Sequence, residues 1–171
     1  MNKIKRTVNL GGNPVELIGN PLEVGQKAPQ FQAVDLNMQP FVFSGKGNRI
    51  SIISAVGSLD TGVCDTETRR FNQEAANLGS QVEVLTVSMD LPFAQQRWCA
   101  AAGIDRVKVV SDYKDASFGL KYGVLVEQSR LLARAVFVVD REGIIQYIQL
   151  VPEINQEPDY DAVIQAVKQR L

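Results

Sequence analysis

Histidine is absent from all 171 residues, and cysteine occurs only 2 times. Without imidazole, Ser-His-Asp and Cys-His catalysis are excluded, as are zinc sites that need a histidine ligand. Two cysteines cannot close a four-thiolate metal site within one chain. Hydrolase, papain-like and metalloenzyme readings fall before any motif is sought, and no metal or cofactor is expected. A charge excess is missing too. Lys and Arg number 18 against 19 Asp and Glu, a net charge of −1, so neither nucleic acid nor an anionic membrane is an expected partner. No apolar run is long enough to cross a membrane. Met1 to Arg6 is basic, but the polar, glycine-rich Thr7 to Pro14 follows where a leader would have its apolar core. A cytoplasmic chain is expected. There a cysteine pair is more often catalytic or redox-active than a structural staple.

What is present suits one domain, 1–171, because a chain of this length with 45% apolar residues can bury a sizeable core. Residues 3–18 predict an N-terminal β-hairpin within 1–20, with arms Ile4 to Leu10 and Val15 to Ile18 around Gly11-Gly12-Asn13-Pro14. Phe31 to Asp35 and Pro40 to Phe43 predict two short strands. Arg49 to Val56 reads as a buried central strand. A helix then carries Cys64, Thr68, Phe71, Ala75 and Leu78 on one face, with Asp60 or Thr61 as its cap and Gly79 as its stop. Val82 to Met89 is a second strand. The helix opened by Pro92 should bury Ala94, Trp98 and Ala101 or Ala102, with Cys99 beside that stripe and Gly103 at its end. Val107 to Val110 predicts a strand, Asp115 to Tyr122 a helix, and Val124 to Leu132 a surface excursion. Ala133 to Val139 and Ile144 to Leu150 form a hairpin around Asp140-Arg141-Glu142-Gly143. The last helix starts at Pro158-Asp159 and aligns Tyr160, Val163, Ile164, Val167 and Leu171. Alternating strands and helices imply parallel pairing with crossovers, and the final hairpin implies an antiparallel end. The fold expected is α/β: a thioredoxin-like core with a mixed central sheet flanked by helices, extended by the N-terminal hairpin.

Cys64 falls where a strand turns into a helix. Unsatisfied N–H groups and the positive end of the helix dipole gather there, and such a field favours a thiolate over a thiol. The plain alternative is a small apolar residue under a helix. Cys99 lies far from Cys64 on a separate helix. The pair is not Cys-x-x-Cys, which argues against a disulfide reductase. It suits a cycle in which one thiolate becomes a sulfenic acid and the second condenses with it. By itself Cys99 also reads as a buried helix residue beside Trp98. Arg134 is conspicuous in an otherwise apolar strand, because a buried guanidinium is costly unless paired. Either it faces the Cys64 thiolate, or it sits on an edge strand bound to a carboxylate. Thr61 stands three residues before Cys64, where its hydroxyl can orient an oxygen substrate or simply cap the turn.

Asp60-Thr61-x-Val63-Cys64, the stretch Asp90-Leu91-Pro92-Phe93-Ala94-Gln95 through Cys99, and Ala133-Arg134-Ala135-Val136 closely resemble the bacterial thiol peroxidases, atypical two-cysteine peroxiredoxins. Glu157-Pro158-Asp159-Tyr160 and the N-terminal hairpin are similar to them too. The resemblance covers essentially the whole chain. It implies that Cys64 is the peroxidatic cysteine and Cys99 the resolving one, with Thr61 and Arg134 completing the site. It implies a homodimer, hydrogen peroxide and alkyl hydroperoxides as substrates, and thioredoxin as the reductant. One position departs from the pattern: Gly57 stands where the family motif has proline. Glycine adds backbone freedom there, which sets against the enzyme a non-catalytic redox sensor or thioredoxin-like binding module.

Overall fold

The computed structural model describes residues 6–171. Its most apolar stretches become the middle of a sheet. β1 (Arg6–Leu10) and β2 (Asn13–Ile18) form a hairpin apart from that sheet. β3 (Phe31–Val34) and β4 (Pro40–Phe43) pair antiparallel at one edge of it. β5 (Ile50–Ala55) is central and buried along its whole length. The crossover helix α1 (Gly62–Leu78) leads to β6 (Val82–Ser88), parallel to β5, and α2 (Pro92–Ala102) leads to β7 (Val107–Ser111), parallel to β6. After α3 (Ser117–Lys121) and β8 (Leu125–Val126), β9 (Ala135–Val139) returns antiparallel to β5. β10 (Ile145–Leu150) closes the other edge, and α4 (Tyr160–Lys168) follows. The strand order is β10-β9-β5-β6-β7-β3-β4, a mixed sheet as the element sequence predicts.

Side chains that alternate along the central strands feed two cores. Ile52, Val84, Val136 and Val138 pack on one face with Phe71 of α1, Trp98 of α2 and Val163 of α4, and both cysteines belong to this layer. Ile53, Leu85, Phe137 and Val139 pack on the other with Phe118 of α3. Local chemistry sets the helix ends. The Asp159 carboxylate accepts from the Ala162 N–H at 3.1 Å and caps α4. Pro92 opens α2, and Gly103 ends it in the left-handed region at φ 68°.

Several segments differ from the sequence expectation. Gly11 and Gly12 alone make the hairpin turn, both at positive φ, so Asn13 and Pro14 already belong to β2. The part of the first arm from Ile4 to Lys5 lies outside the described residues. Asp115 to Tyr122 shortens to α3, because Ala116 has φ 50° and cannot lie within a right-handed helix. Val124 to Leu132 is a surface excursion only in its middle, where 127–131 are exposed. β8 pairs with β2 in a second sheet, β1-β2-β8, and Val124, Leu125, Val126 and Leu132 are buried. A two-residue strand is too short to show alternation. On α2 the buried residues are Pro92, Gln95, Trp98 and Cys99, so Cys99 lies on the stripe rather than beside it. Gln95 is drawn inward by its amide, which donates to Ser88 Oγ at 3.0 Å and to the Val110 carbonyl at 2.9 Å. Leu171 lies beyond α4 and is exposed.

Candidate active site

Just past β5, Val56 N–H donates to the Val87 carbonyl at 3.0 Å. Residues 57–61 then turn the chain into α1. Cys64 sits in the first turn of that helix, whose N–H groups lack intrahelical partners, and it is 1% exposed. Thr61 occupies the N-cap position without capping. Its hydroxyl instead donates to the Ser58 carbonyl at 2.8 Å, which leaves the oxygen lone pairs open to another donor. The turn is tied down from outside. The Asp90 carboxylate accepts from Ser58 Oγ at 2.6 Å, from Leu59 N–H at 2.9 Å and from Ser88 Oγ at 2.7 Å. Beside Gly57 there is room: an added Cβ would meet nothing nearer than the Leu132 carbonyl oxygen at 3.6 Å.

Arg134 lies just before β9, an interior strand, and is 1% exposed. Neither sequence alternative stands alone, because the guanidinium serves a thiol and a carboxylate together. Nη2 donates to Cys64 Sγ at 3.3 Å, Nη1 makes a short bond to Glu67, and Nε donates to the Ile154 carbonyl at 2.8 Å. Burial alone would lower the Arg134 pKa, but the negative charge at Glu67 and Cys64 outweighs it and raises it. Glu67 escaped the sequence reading and is fully buried on α1, three residues after Cys64. Burial raises its pKa against the pull of Arg134 and of Ser54. One carboxylate oxygen accepts from Arg134 and the other from Ser54 Oγ at 2.9 Å, so the ionised form is the one its surroundings are built for. The signal that could have found it is its place on the packed face of α1, beside Thr68.

Cys64, Thr61 and Arg134 line one cavity of about 410 Å³. Its wall is apolar, made by Leu10, Val126, Leu131, Leu132 and Ile154. The hairpin tip reaches it because the Glu153 carboxylate accepts from the N–H groups of Gly11 and Gly12, at 2.8 and 3.1 Å. Those bonds hold the Glu153 carboxyl below its ordinary pKa. Cys99 does not line the cavity. It is buried in the same core layer as Cys64, both thiols are free, and burial pushes the Cys99 thiol up. Among the described residues, no group of His, Cys, Asp and Glu is placed to hold a metal ion, and no helix is long and apolar enough to cross a membrane.

A family model described as Redoxin matches residues 23–164. A thiol peroxidase of Halalkalibacterium halodurans is 49% identical over 165 residues, covering 96% of this chain and 99% of the relative. A thiol peroxidase of Bacillus subtilis is 46% identical, covering 94% of this chain and 96% of its own. Among solved structures, a peroxiredoxin-like protein from Aquifex aeolicus superposes with a TM-score of 0.92 at 47% identity, over 97% of this chain and 98% of that one. A thiol peroxidase from Chromobacterium violaceum, 17% identical over 95% of each chain, shares the fold with a TM-score of 0.85.

Proposed function

The chain belongs to the redoxin family, among its bacterial thiol peroxidases, and on that premise we propose that Cys64 is the peroxidatic residue and Cys99 the resolving one. The protein is a thiol-dependent peroxidase with a thioredoxin-like fold. In the proposed cycle the Cys64 thiolate attacks the terminal oxygen of a hydroperoxide. The O–O bond breaks, the departing oxygen takes a proton and leaves as water or an alcohol, and Cys64 becomes a sulfenic acid. Arg134 Nη2 and the free N–H groups of the first turn face the developing charge. Thr61 accepts a hydrogen bond from the substrate, since its own proton is held by Ser58. The Cys99 thiol then attacks the sulfenic sulfur. Water leaves, and a disulfide joins the two cysteines within one chain. Thioredoxin reduces that disulfide by thiol exchange, and the working assembly is a homodimer.

The observation that carries this reading is the Arg134-to-Cys64 bond of 3.3 Å at the wall of the cavity. The apolar wall supports alkyl hydroperoxides as substrates alongside hydrogen peroxide, because a cavity of about 410 Å³ has room for a hydrocarbon body. Peroxide turnover coupled to thioredoxin is the test, with hydrogen peroxide and an alkyl hydroperoxide run separately. Cys64→Ser should abolish turnover, and Cys99→Ser should stop it after one oxidation. Undiminished turnover by Cys64→Ser would overturn the assignment.

A further inference from the structure

The residue after Cys64 is bonded to the residue before Cys99. Trp98 Nε1 on α2 donates to Asp65 Oδ2 on α1 at 3.0 Å. The other Asp65 oxygen takes a short bond from Arg69 Nε. The Arg69 guanidinium in turn lies over the Trp98 ring, 5.6 Å from its centroid. Asp65, Arg69 and Trp98 thus form a closed three-membered clasp between the two cysteine-bearing helices. It lies away from the cavity, and none of its members lines it. A second tie lies at the other end of α2, where Asp90 holds Ser58 and Leu59. The Asp90 tie joins the two loops ahead of the helices. The clasp instead fixes the turns that contain the thiols.

A disulfide requires Cα atoms within roughly 7 Å and Cβ vectors that face each other. Cys64 and Cys99 are each buried in a wound helix, and Cys99 is a raised-pKa thiol in that state. Local unwinding of the two turns would bring the thiols together. Displacing the turn that carries Cys99 moves Trp98, its immediate neighbour, out of reach of Asp65. We propose, resting on the roles given above to Cys64 and Cys99, that Asp65 and Trp98 are positioning residues of the resolving step. Closed, the clasp keeps both helices wound while peroxide reacts. Its opening sets how fast Cys99 reaches the sulfenic acid, and so how often a second peroxide takes Cys64 on to sulfinic acid first.

The test separates the two chemical steps. Reduced protein is mixed with peroxide, quenched at intervals and followed by intact mass. Trp98→Phe keeps an aromatic ring and the charge balance, and loses the donor together with part of the buried ring. Sulfenic acid should form at an unchanged rate, and disulfide should then form about tenfold faster, the factor equivalent to about 1.4 kcal/mol. Sulfinic acid at excess peroxide should fall in proportion. Asp65→Asn should act in the same direction, and the double variant should add little to either single one. Equal or slower disulfide formation in Trp98→Phe overturns the proposal while leaving the cysteine roles intact. No Cys64–Cys99 disulfide in the unaltered protein overturns both. A variant that fails to fold leaves a reading from the unaltered chain. Trp98 is its only tryptophan, so its emission should change at the rate of disulfide formation. A disulfide formed with constant emission would contradict the clasp.

Discussion

Replacing Glu67 with Gln should weaken the protein and slow its chemistry together. The side chain keeps its volume and an acceptor, but Arg134 loses the carboxylate that balances its charge in the interior. Glu67 is 0% exposed and Arg134 1%, so solvent cannot take over that role. Removing one partner of a buried ion pair costs about 3–5 kcal/mol, and the retained acceptor brings the expected loss to about 2–4 kcal/mol. At roughly 2–4 °C per kcal/mol for a chain of this size, Tm should drop by about 5–15 °C. The guanidinium is held at Glu67 and at the Ile154 carbonyl, and only then does Nη2 meet the sulfur at 3.3 Å. With one anchor weakened, kcat/KM for peroxide should fall by about 10²-fold, the scale of a small misplacement of a reacting group. Thermal unfolding and the coupled peroxidase assay at neutral pH read the two effects. Ser54→Ala removes one hydrogen bond to the Glu67 carboxylate, about 1.5–3 kcal/mol, but leaves the ion pair with Arg134 in place, so it serves as the comparison for kcat/KM. A Glu67→Gln protein within about 2 °C of the original Tm and within twofold in kcat/KM would refute the clamp.

Asp112 is a buried carboxyl whose pKa is pushed up to about 6 by burial, although it accepts from the N–H groups of Phe118 and Gly119. Its folded pKa exceeds the unfolded one, so its favourable contribution is complete below about pH 4 and is lost as pH rises through about 6. Relative to Asp112→Asn, the unaltered protein should lose about 2–3 kcal/mol between those limits, as denaturant titrations at several pH values will show; parallel pH profiles would contradict this. Gly57→Pro should fit, given the 3.6 Å clearance of a Cβ, and should raise Tm by about 1–4 °C through the unfolded state without lowering kcat/KM. A fall in either would show that the turn needs glycine. Hydrogen exchange should be faster in the disulfide form than in the reduced form around Cys64 and Cys99, and unchanged in β5, where every residue is buried. Equal protection of both forms would exclude local unwinding.

Much of the frame was legible because its signals are strong. β5 and β9 are apolar runs, α1 carries an apolar stripe, and Pro92, Gly103 and Asp159 mark helix ends by their own chemistry. The first-turn position of Cys64 and the oddity of Arg134 in an apolar stretch were legible for the same reason. Polar residues that fold inward were not. Glu67 lies in the run Asp65-Thr66-Glu67-Thr68-Arg69-Arg70, which reads as a solvated surface, and only Arg134 and Ser54 make its burial tolerable. Gln95 went unread because a backbone carbonyl from β7 satisfies it. β8 went unread because its pairing with β2 is a long-range contact with no local pattern. As a result, the walls that the hairpin and the stretch before β9 give to the cavity were invisible, although Cys64, Thr61 and Arg134 had been singled out.

The central claim is that Cys64 and Cys99 act as a pair. It is tested most directly by treating reduced protein with one equivalent of hydrogen peroxide, followed by intact mass and peptide mapping. A Cys64–Cys99 disulfide within one chain should form rapidly and be lost on addition of reduced thioredoxin. An unreacted dithiol, or Cys64 oxidised to sulfinic acid with Cys99 still free, would contradict it.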